Sequence, residues 1–179
     1  MGPAQTITDV EMFETFSESG EPTGLVARDV VHRTGLWHRA ANVFVFNAAG
    51  QLLLQCRSTS KDVWPDAWDL SVGEHLTPGE DFEAAAQRGL MEELGVEPLA
   101  LSPLGPVVQA TITIEALGIV DREFQQSFRG QWDGAITPCP DEVAAVRWVT
   151  LAELDTEIEE DPERFTPWLR SRLGLVRPP

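Results

Sequence analysis

Apolar residues along this chain gather into short runs separated by turn-forming residues, which is the pattern of strands in a buried sheet. Residues 42–47 and 52–57 are two such runs around an Ala-Ala-Gly turn, and they predict a hairpin whose strands are buried on both faces. Weaker alternation at residues 11–16 and 24–27, around a Ser-Gly-Glu-Pro turn, predicts an N-terminal β-hairpin. Further strands are expected at residues 70–73, 107–112, 119–129 and 145–149.

Helical spacing replaces strand spacing in three segments. The strongest, residues 80–96, has acidic residues at its start, alanine and leucine in its middle and a glycine at its end. Two further helices are expected at residues 151–160 and 163–173. Thr150 and Glu153 form a capping box at the start of the first. Strands interleaved with helices predict an α/β chain.

The helix at residues 80–96 also carries the strongest candidate chemistry. Glu92 and Glu93 stand side by side near its C-terminal end, where they oppose the helix dipole and repel each other. Arg88 lies one turn before Glu92. An arbitrary pair of glutamates is more often a solvated helix face, but a hard cation such as Mg²⁺ would relieve this repulsion.

The spacing of these residues resembles the signature of Nudix hydrolases, G-x5-E-x7-R-E-U-x-E-E-x-G-U, where U is aliphatic. Seven positions agree in register: Glu80, Arg88, Leu90, Glu92, Glu93, Gly95 and Val96. Two positions depart, because Glu74 stands at the first glycine and Gly89 replaces the glutamate after the arginine. In many members that glutamate binds metal or helps to activate water, so this chain must draw the carboxylate from elsewhere or work without it. Glycine inside a helix costs about 1 kcal/mol relative to alanine, so we expect a ligand or a neighbouring strand to approach closely there.

The resemblance implies a Nudix fold, a mixed β-sheet sandwiched between α-helices, over residues 28–179, with residues 1–27 as a β-hairpin extension. It implies hydrolysis of a diphosphate linkage, by metal-activated water, in a nucleoside-diphosphate-linked or other small organic diphosphate. A module that binds diphosphates without turnover is an alternative, and Gly89 is the observation in its favour.

The resemblance also implies roles for individual residues. Glu92, Glu93 and Glu80 would bind Mg²⁺ or Mn²⁺, and Arg88 would orient these carboxylates. Glu142 would be the catalytic base, with Glu123 as the second candidate. The residues expected to contact substrate are Arg57, Lys61 and Trp68.

The three histidines raise a second possibility. His32, His38 and His75, with Asp121 and Glu123, resemble the three histidines and two acids that hold a metal in isopentenyl diphosphate isomerase, a member of the same fold superfamily. Residues 71–75, Ser-Val-Gly-Glu-His, are similar to the isomerase stretch Ser-Val-Cys-Gly-His. Residues 118–123 are similar to its Gly-Ile-Val-Glu-Asn-Glu. A lone histidine beside a strand is more often structural, so the set is predicted only as a second metal site.

Isomerisation needs proton donors and acceptors that this sequence lacks. The isomerase uses a cysteine where this chain has Gly73, and the chain contains no tyrosine to take the place of the one that assists there. The isomerase also does not keep both glutamates of the metal helix. Hydrolysis is therefore favoured, with isomerisation as the alternative.

Composition narrows the class of partner. The 179 residues are 42% hydrophobic, enough for one compact domain, and 13 basic against 29 acidic residues give a formal net charge of -16. This balance excludes a nucleic-acid polymer as partner, since backbone binding needs clustered Lys and Arg. With no signal-peptide pattern, no membrane span and two distant cysteines, we expect a reduced, cytoplasmic protein that acts on a small-molecule diphosphate. The oligomeric state stays open, with a homodimer among the alternatives.

Overall fold

The computed structural model describes residues 10–177. The strands are β1 (Met12–Phe16), β2 (Pro22–Ala27), β3 (Trp37–Phe46), β4 (Leu52–Arg57), β5 (Trp68–Asp69), β6 (Val72–His75), β7 (Ser102–Pro103), β8 (Val108–Ile114), β9 (Ile119–Gln131) and β10 (Val143–Val149). The helices are α1 (Arg28–Thr34), α2 (Phe82–Leu94), α3 (Leu151–Glu160) and α4 (Pro167–Arg172), with short 3-10 turns at Glu115–Leu117, Pro162–Arg164 and Leu173–Val176. In the described part of the chain, no helix is long and apolar enough to cross a bilayer.

Strand β3 is the centre of a mixed sheet. It pairs in parallel with β9 over its whole length, from Trp37 to Phe46. Its other edge pairs in turn with β1, β6 and β4. Strand β10 extends the sheet beyond β4, and β8 extends it beyond β9. The predicted mixed sheet and the N-terminal hairpin of β1 and β2 are confirmed. The second predicted hairpin is confirmed only next to its turn, because β3 and β4 pair at Phe46 and Leu52 while β4 pairs along its length with β10.

Alternate residues of β3 enter two separate cores, which explains its continuous apolar run. Val43 and Val45 pack under α2 with Leu90, in one core. Phe44 and Phe46 belong to a second core on the opposite face, against α3 and α4. The sheet is therefore covered by helices on both faces, as the α/β/α prediction required.

The predicted helix at residues 163–173 is wrong as a continuous element. The chain forms a 3-10 turn at Pro162–Arg164, passes through an extended Phe165, and begins α4 only at Pro167. Proline disfavours helical geometry in the residue before it and is well accommodated at the first position of a helix. The Thr166 hydroxyl caps the new helix by accepting from the Leu169 N–H.

Helix α1 was not predicted, and it proves important for the site. Its seven residues include two valines, which read as strand, and its length is below what helical periodicity reveals. Gly35 ends it in the left-handed conformation, and Asp29 lies in its first turn. The predicted division at residues 27 and 28 places α1 at the start of the main domain and stays a prediction. Residues 1–9 and 178–179 of the predicted domains lie outside the described residues.

Candidate active site

Helix α2 presents the acidic residues of the sequence motif at one end of the sheet. It begins where the Asp81 side chain accepts from the Ala84 N–H at 2.8 Å, and it ends at Gly95 in the left-handed conformation. Leu90 and Leu94 are fully buried in the core under the sheet. The helix is thus fixed along one face.

Arg88 of this helix is the centre of an acidic cluster that also draws residues from β6 and from the loop before α2. Its Nε and Nη2 each donate to one carboxylate oxygen of Glu80 at 2.9 Å, and Nη2 also donates to the His75 carbonyl at 2.8 Å. Its Nη1 lies 3.4 Å from the nearest carboxylate oxygens of Glu74 and of Glu92. Hydrogen bonds from Arg88 lower the pKa of the Glu80 carboxyl. A single guanidinium therefore contacts three carboxylates and ties α2 to the end of β6. Glu80 and Glu92 are two of the three that Arg88 was expected to orient, whereas its described contacts do not include Glu93.

The two adjacent glutamates of α2 have opposite environments. The side chain of Glu92 is 60% exposed, whereas Glu93 is buried and accepts a 2.9 Å hydrogen bond from the Gln55 side chain on β4. Burial, with the nearby negative charge of Glu74, raises the pKa of Glu93 to about 8. A cation bound beside this carboxyl would favour its ionised form.

Two residues that depart from the sequence motif lie against each other. Glu74, on β6, has a side chain that is only 17% exposed, and burial raises its pKa. Its carboxylate crosses the face of α2 at Gly89, where an added Cβ would stand 3.3 Å from Glu74 Oε2. The expected close approach at Gly89 therefore comes from a neighbouring strand.

Glu142 and Lys61 form an ion pair beside this cluster. Glu142 precedes β10, and its side chain is 42% exposed. Lys61 lies in the loop after β4, close enough for its positive charge to favour the ionised form of Glu93. The predicted base and one predicted substrate contact are thus neighbours.

The three histidines converge from three different elements. His32 comes from α1, His38 from the start of β3 and His75 from the end of β6. Asp121 and Glu123 share one face of β9 and meet them. One ligand atom from each of the three histidines and from Asp121 lies within 4.8 Å of the others. In residues 10–177 this is the one group of three or more candidate ligands at such spacing.

Contacts within this histidine centre leave lone pairs directed inward. His38 Nδ1 donates to the Leu36 carbonyl at 3.1 Å, so its Nε2 carries the lone pair, 3.3 Å from Asp121 Oδ1. His32 Nε2, His38 Nε2 and Asp121 Oδ1 are buried without a hydrogen-bond partner. His75 Nε2 instead lies 3.0 Å from Glu123 Oε1. Unpaired buried polar atoms are rare, and this set fits a divalent metal held by nitrogen and oxygen ligands.

Protonation states in the centre are set by burial and by Glu123. Burial lowers the pKa of His32 to about 3 and of His38 to about 4. Burial opposes a charged His75, but its hydrogen bond to Glu123 outweighs this effect and raises its pKa. Burial and the charge of Glu123 raise the pKa of Asp121 to about 7. Two imidazoles are therefore neutral near pH 7, the form that binds a metal.

A pocket that is open to solvent joins the histidine centre to Glu74 of the acidic cluster. Its polar lining includes His75, Glu123 and Glu74, and Gly73 forms part of its wall. An apolar side is formed by three isoleucines: Ile112, Ile114 and Ile119. The pocket therefore offers both carboxylates and an apolar surface to a ligand.

The predicted substrate contacts divide between pocket and core. Arg57 lines the pocket, but Trp68 packs against the core between the sheet and α4, with the Arg147 guanidinium 4.5 Å from its ring centre. Trp168 of α4 lines the pocket instead. Sequence reasoning missed Trp168, because its position depends on how α4 folds back onto the sheet.

Two further polar residues of the site were also missed. Gln125 lines the pocket and holds Glu123, and it is itself held by the Arg172 guanidinium at 2.6 Å and 2.9 Å. Asp69 is fully buried and accepts from the Trp168 indole. Neither has a local motif. The alternation of polar residues along residues 121–127 was the signal available for Gln125, since it shares a face with Glu123.

Comparison with known proteins places this geometry in context. The model of the NUDIX domain matches residues 36–169. Isopentenyl-diphosphate Delta-isomerase of Nocardia farcinica is 38% identical over 164 residues, covering 91% of this chain and 93% of that protein. Isopentenyl-diphosphate Delta-isomerase 1 of Aromatoleum aromaticum is 34% identical over 159 residues, covering 89% and 88%. The crystal structure of DR0079 from Deinococcus radiodurans superposes with a TM-score of 0.67 at 28% identity, covering 84% of this chain and 90% of that one.

Proposed function

The chain belongs to the NUDIX domain family, and we propose that it is a metal-dependent hydrolase that cleaves a diphosphate linkage in a small organic diphosphate. One observation carries the choice of hydrolysis over isomerisation. Gly73 lines the pocket at the position where the resemblance to the isomerases places a cysteine, so the pocket wall offers no thiol there for proton transfer to carbon. Cys56 and Cys139 are not among the residues that line it.

The acidic cluster supports hydrolysis. Glu80, Glu92 and Glu93 are the proposed ligands of Mg²⁺ or Mn²⁺, which would neutralise a diphosphate and lower the pKa of a bound water. Glu93 is the buried member of this set, and its described hydrogen-bond partner is the neutral amide of Gln55, which leaves its charge to be balanced by a cation. Arg88 is the proposed residue that holds Glu80 and Glu92 in position, which its contacts with both carboxylates support. The protein has a formal net charge of -16, so an anionic substrate needs such a cation in order to approach it.

Two glutamates, which lie in different places, are candidates for the catalytic base. Glu123 lines the pocket and is bonded to His75, whereas Glu142 is paired with Lys61 outside the pocket lining. Glu142→Gln and Glu123→Gln separate these assignments. The variant that lowers kcat while leaving the metal affinity of the Glu93 site intact identifies the base.

Isomerisation is the second candidate, and the histidine centre favours it. The curated relatives described above are named isopentenyl-diphosphate Delta-isomerases, and the proposed second metal site of His32, His38, His75, Asp121 and Glu123 opens into the pocket. A metal there would supply Lewis acidity beside the bound diphosphate. A diphosphate with an apolar organic group would suit the isoleucine side of the same pocket.

One experiment separates the candidates. Purified protein with Mg²⁺ or Mn²⁺ is incubated with nucleoside diphosphate derivatives, dinucleoside polyphosphates and isopentenyl diphosphate, and products are followed by ³¹P and ¹H NMR. We expect phosphate or monophosphate release that is lost in Glu93→Gln and kept in Glu83→Gln, an exposed acid of the same helix. Conversion of isopentenyl diphosphate to its double-bond isomer without phosphorus release would overturn the proposal in favour of isomerisation. Metal-dependent binding without any product would identify a non-catalytic module.

A further inference from the structure

The two positions at which the chain departs from the signature lie against each other in the structure. The residues at positions 74 and 89 are 15 apart in sequence and lie on different elements, β6 and α2, which pack together. In the signature the first position is glycine and the second is glutamate. Here the glutamate is at 74 and the glycine at 89, so the pair contains the same two residue types with their places exchanged.

Space at Gly89 is taken by β6. A Cβ added at Gly89 would lie 2.6 Å from Val72 Cγ1 and 3.2 Å from Glu74 Cβ. Val72 is fully buried and its β-branched side chain has little rotameric freedom, so it cannot move aside readily. A glycine is therefore required at 89 as long as these β6 side chains are present.

The Glu74 carboxylate occupies the region that a side chain at 89 would enter. Its Oε2 lies 3.3 Å from the position of the missing Cβ, and its Oε1 lies 3.4 Å from Arg88 Nη1. Glu74 also lines the pocket, which Glu80, Glu92 and Glu93 do not. Its carboxylate is thus directed both to the acidic cluster and to the ligand space.

We propose that Glu74 supplies from strand β6 the metal-binding carboxylate that the signature supplies from the helix at the position of Gly89. This assignment rests on the proposed function, because it concerns the same metal site. It restores four acids to the proposed metal site: Glu74, Glu80 and Glu92, which contact Arg88, and Glu93. The Glu74 side chain, together with Val72, also accounts for the glycine inside α2, because both would contact a side chain at 89.

Mn²⁺ binding, followed by the electron paramagnetic resonance signal of the free ion, tests the assignment without relying on turnover. The wild type is expected to bind two classes of Mn²⁺, one weakened by Glu93→Gln and the other by His38→Gln. Glu74→Gln should weaken the class that depends on Glu93 by about tenfold or more, since even indirect partners of a metal commonly contribute that much. Glu83→Gln removes the same charge from an exposed position and should change neither class.

The exchange itself can be reversed. In a Val72→Ala background, which opens the space now closed at 2.6 Å, Glu74→Gly should lose the Glu93-dependent class and Glu74→Gly/Gly89→Glu should regain it. Recovery to within about tenfold of the Val72→Ala parent is expected, and thermal melts identify any variant that fails to fold. A folded Glu74→Gln protein with unchanged Mn²⁺ binding would overturn the assignment while leaving the proposed hydrolase intact. The absence of any Glu93-dependent class in the wild type would overturn both.

Discussion

Replacing Asp69 by alanine should test how the C-terminal helix is held over the pocket. Asp69 Oδ1 accepts from the Leu70 N–H at 2.7 Å, the Thr166 hydroxyl at 2.8 Å and the Trp168 indole N–H at 2.6 Å. Its Oδ2 accepts from Arg57 Nη1 at 3.3 Å. One buried carboxylate therefore joins β5 to α4, the helix that carries Trp168 into the pocket.

The loss of stability in Asp69→Ala can be worked out from the hydrogen-bond donors that alanine would leave without an acceptor. Trp168 and Arg57 border the pocket, so water can replace the carboxylate there. The Leu70 N–H and the Thr166 hydroxyl stay buried, because both residues are fully buried. An unsatisfied buried donor costs about 1–3 kcal/mol, so Asp69→Ala should lower the free energy of unfolding by about 2–6 kcal/mol.

Urea unfolding followed by far-UV circular dichroism measures this loss, provided that the dependence on urea concentration is unchanged. In a Thr166→Val background one of the two donors is absent, so Asp69→Ala should cost less there by about 1 kcal/mol or more. Asp62→Ala, an exposed acid in the neighbouring loop, should change stability by less than about 0.5 kcal/mol. A loss below about 1 kcal/mol in Asp69→Ala, or equal losses in both backgrounds, would refute the reasoning.

Three further changes test other parts of the molecule. Arg88→Lys keeps the charge but loses the bidentate contact with Glu80, so the catalytic efficiency kcat/KM should fall by about tenfold or more. An unchanged kcat/KM in a steady-state assay would show that Arg88 does not orient these carboxylates. Gly73→Ala should fold with an unchanged melting temperature, because the nearest atoms to the new Cβ are 3.8 Å away. A large decrease in the melting temperature would show that this wall of the pocket has no room for a methyl group. Thr150→Ala removes the capping box of α3 and should cost about 1 kcal/mol in urea unfolding, whereas no change would mean that the cap contributes nothing to α3.

The fold was readable from the sequence where local pattern and tertiary position agree. Strand β3 shows the agreement, because burial on both faces demands apolar residues at every position from 43 to 46. Helix α3 shows it too, since its capping box and its observed bounds coincide with the predicted ones. Helix α1 shows the opposite case. Seven residues with a Val-Val pair satisfy strand and helix equally well, and only packing against β9 and the N-terminal hairpin decides between them.

Some residues of the candidate site could likewise be predicted from local pattern, and others could not. The acids of α2 and Arg88 could be placed because helix geometry fixes which residues are one turn apart. The histidine centre could be assembled only by resemblance, since His32, His38 and His75 lie on three elements whose meeting is a property of the whole sheet. Trp168 and Asp69 could not be placed at all, because their contact spans 99 positions in sequence.

The contact between Glu74 and Gly89 shows why a linear sequence motif misses one of the acidic residues of this site. Compared position by position, the chain has lost a glycine and a glutamate, and the lost glutamate argues for a module without turnover. In three dimensions the two positions share one space, in which a side chain from β6 and a side chain from α2 exclude each other. A side chain at 89 would meet Val72 at 2.6 Å and Glu74 at 3.2 Å, so the glycine at 89 goes together with the side chains that β6 carries here. If Glu74 binds metal as proposed, Gly89 is no longer evidence for lost function, because Glu74, Glu80, Glu92 and Glu93 equal the four acids of the signature in number.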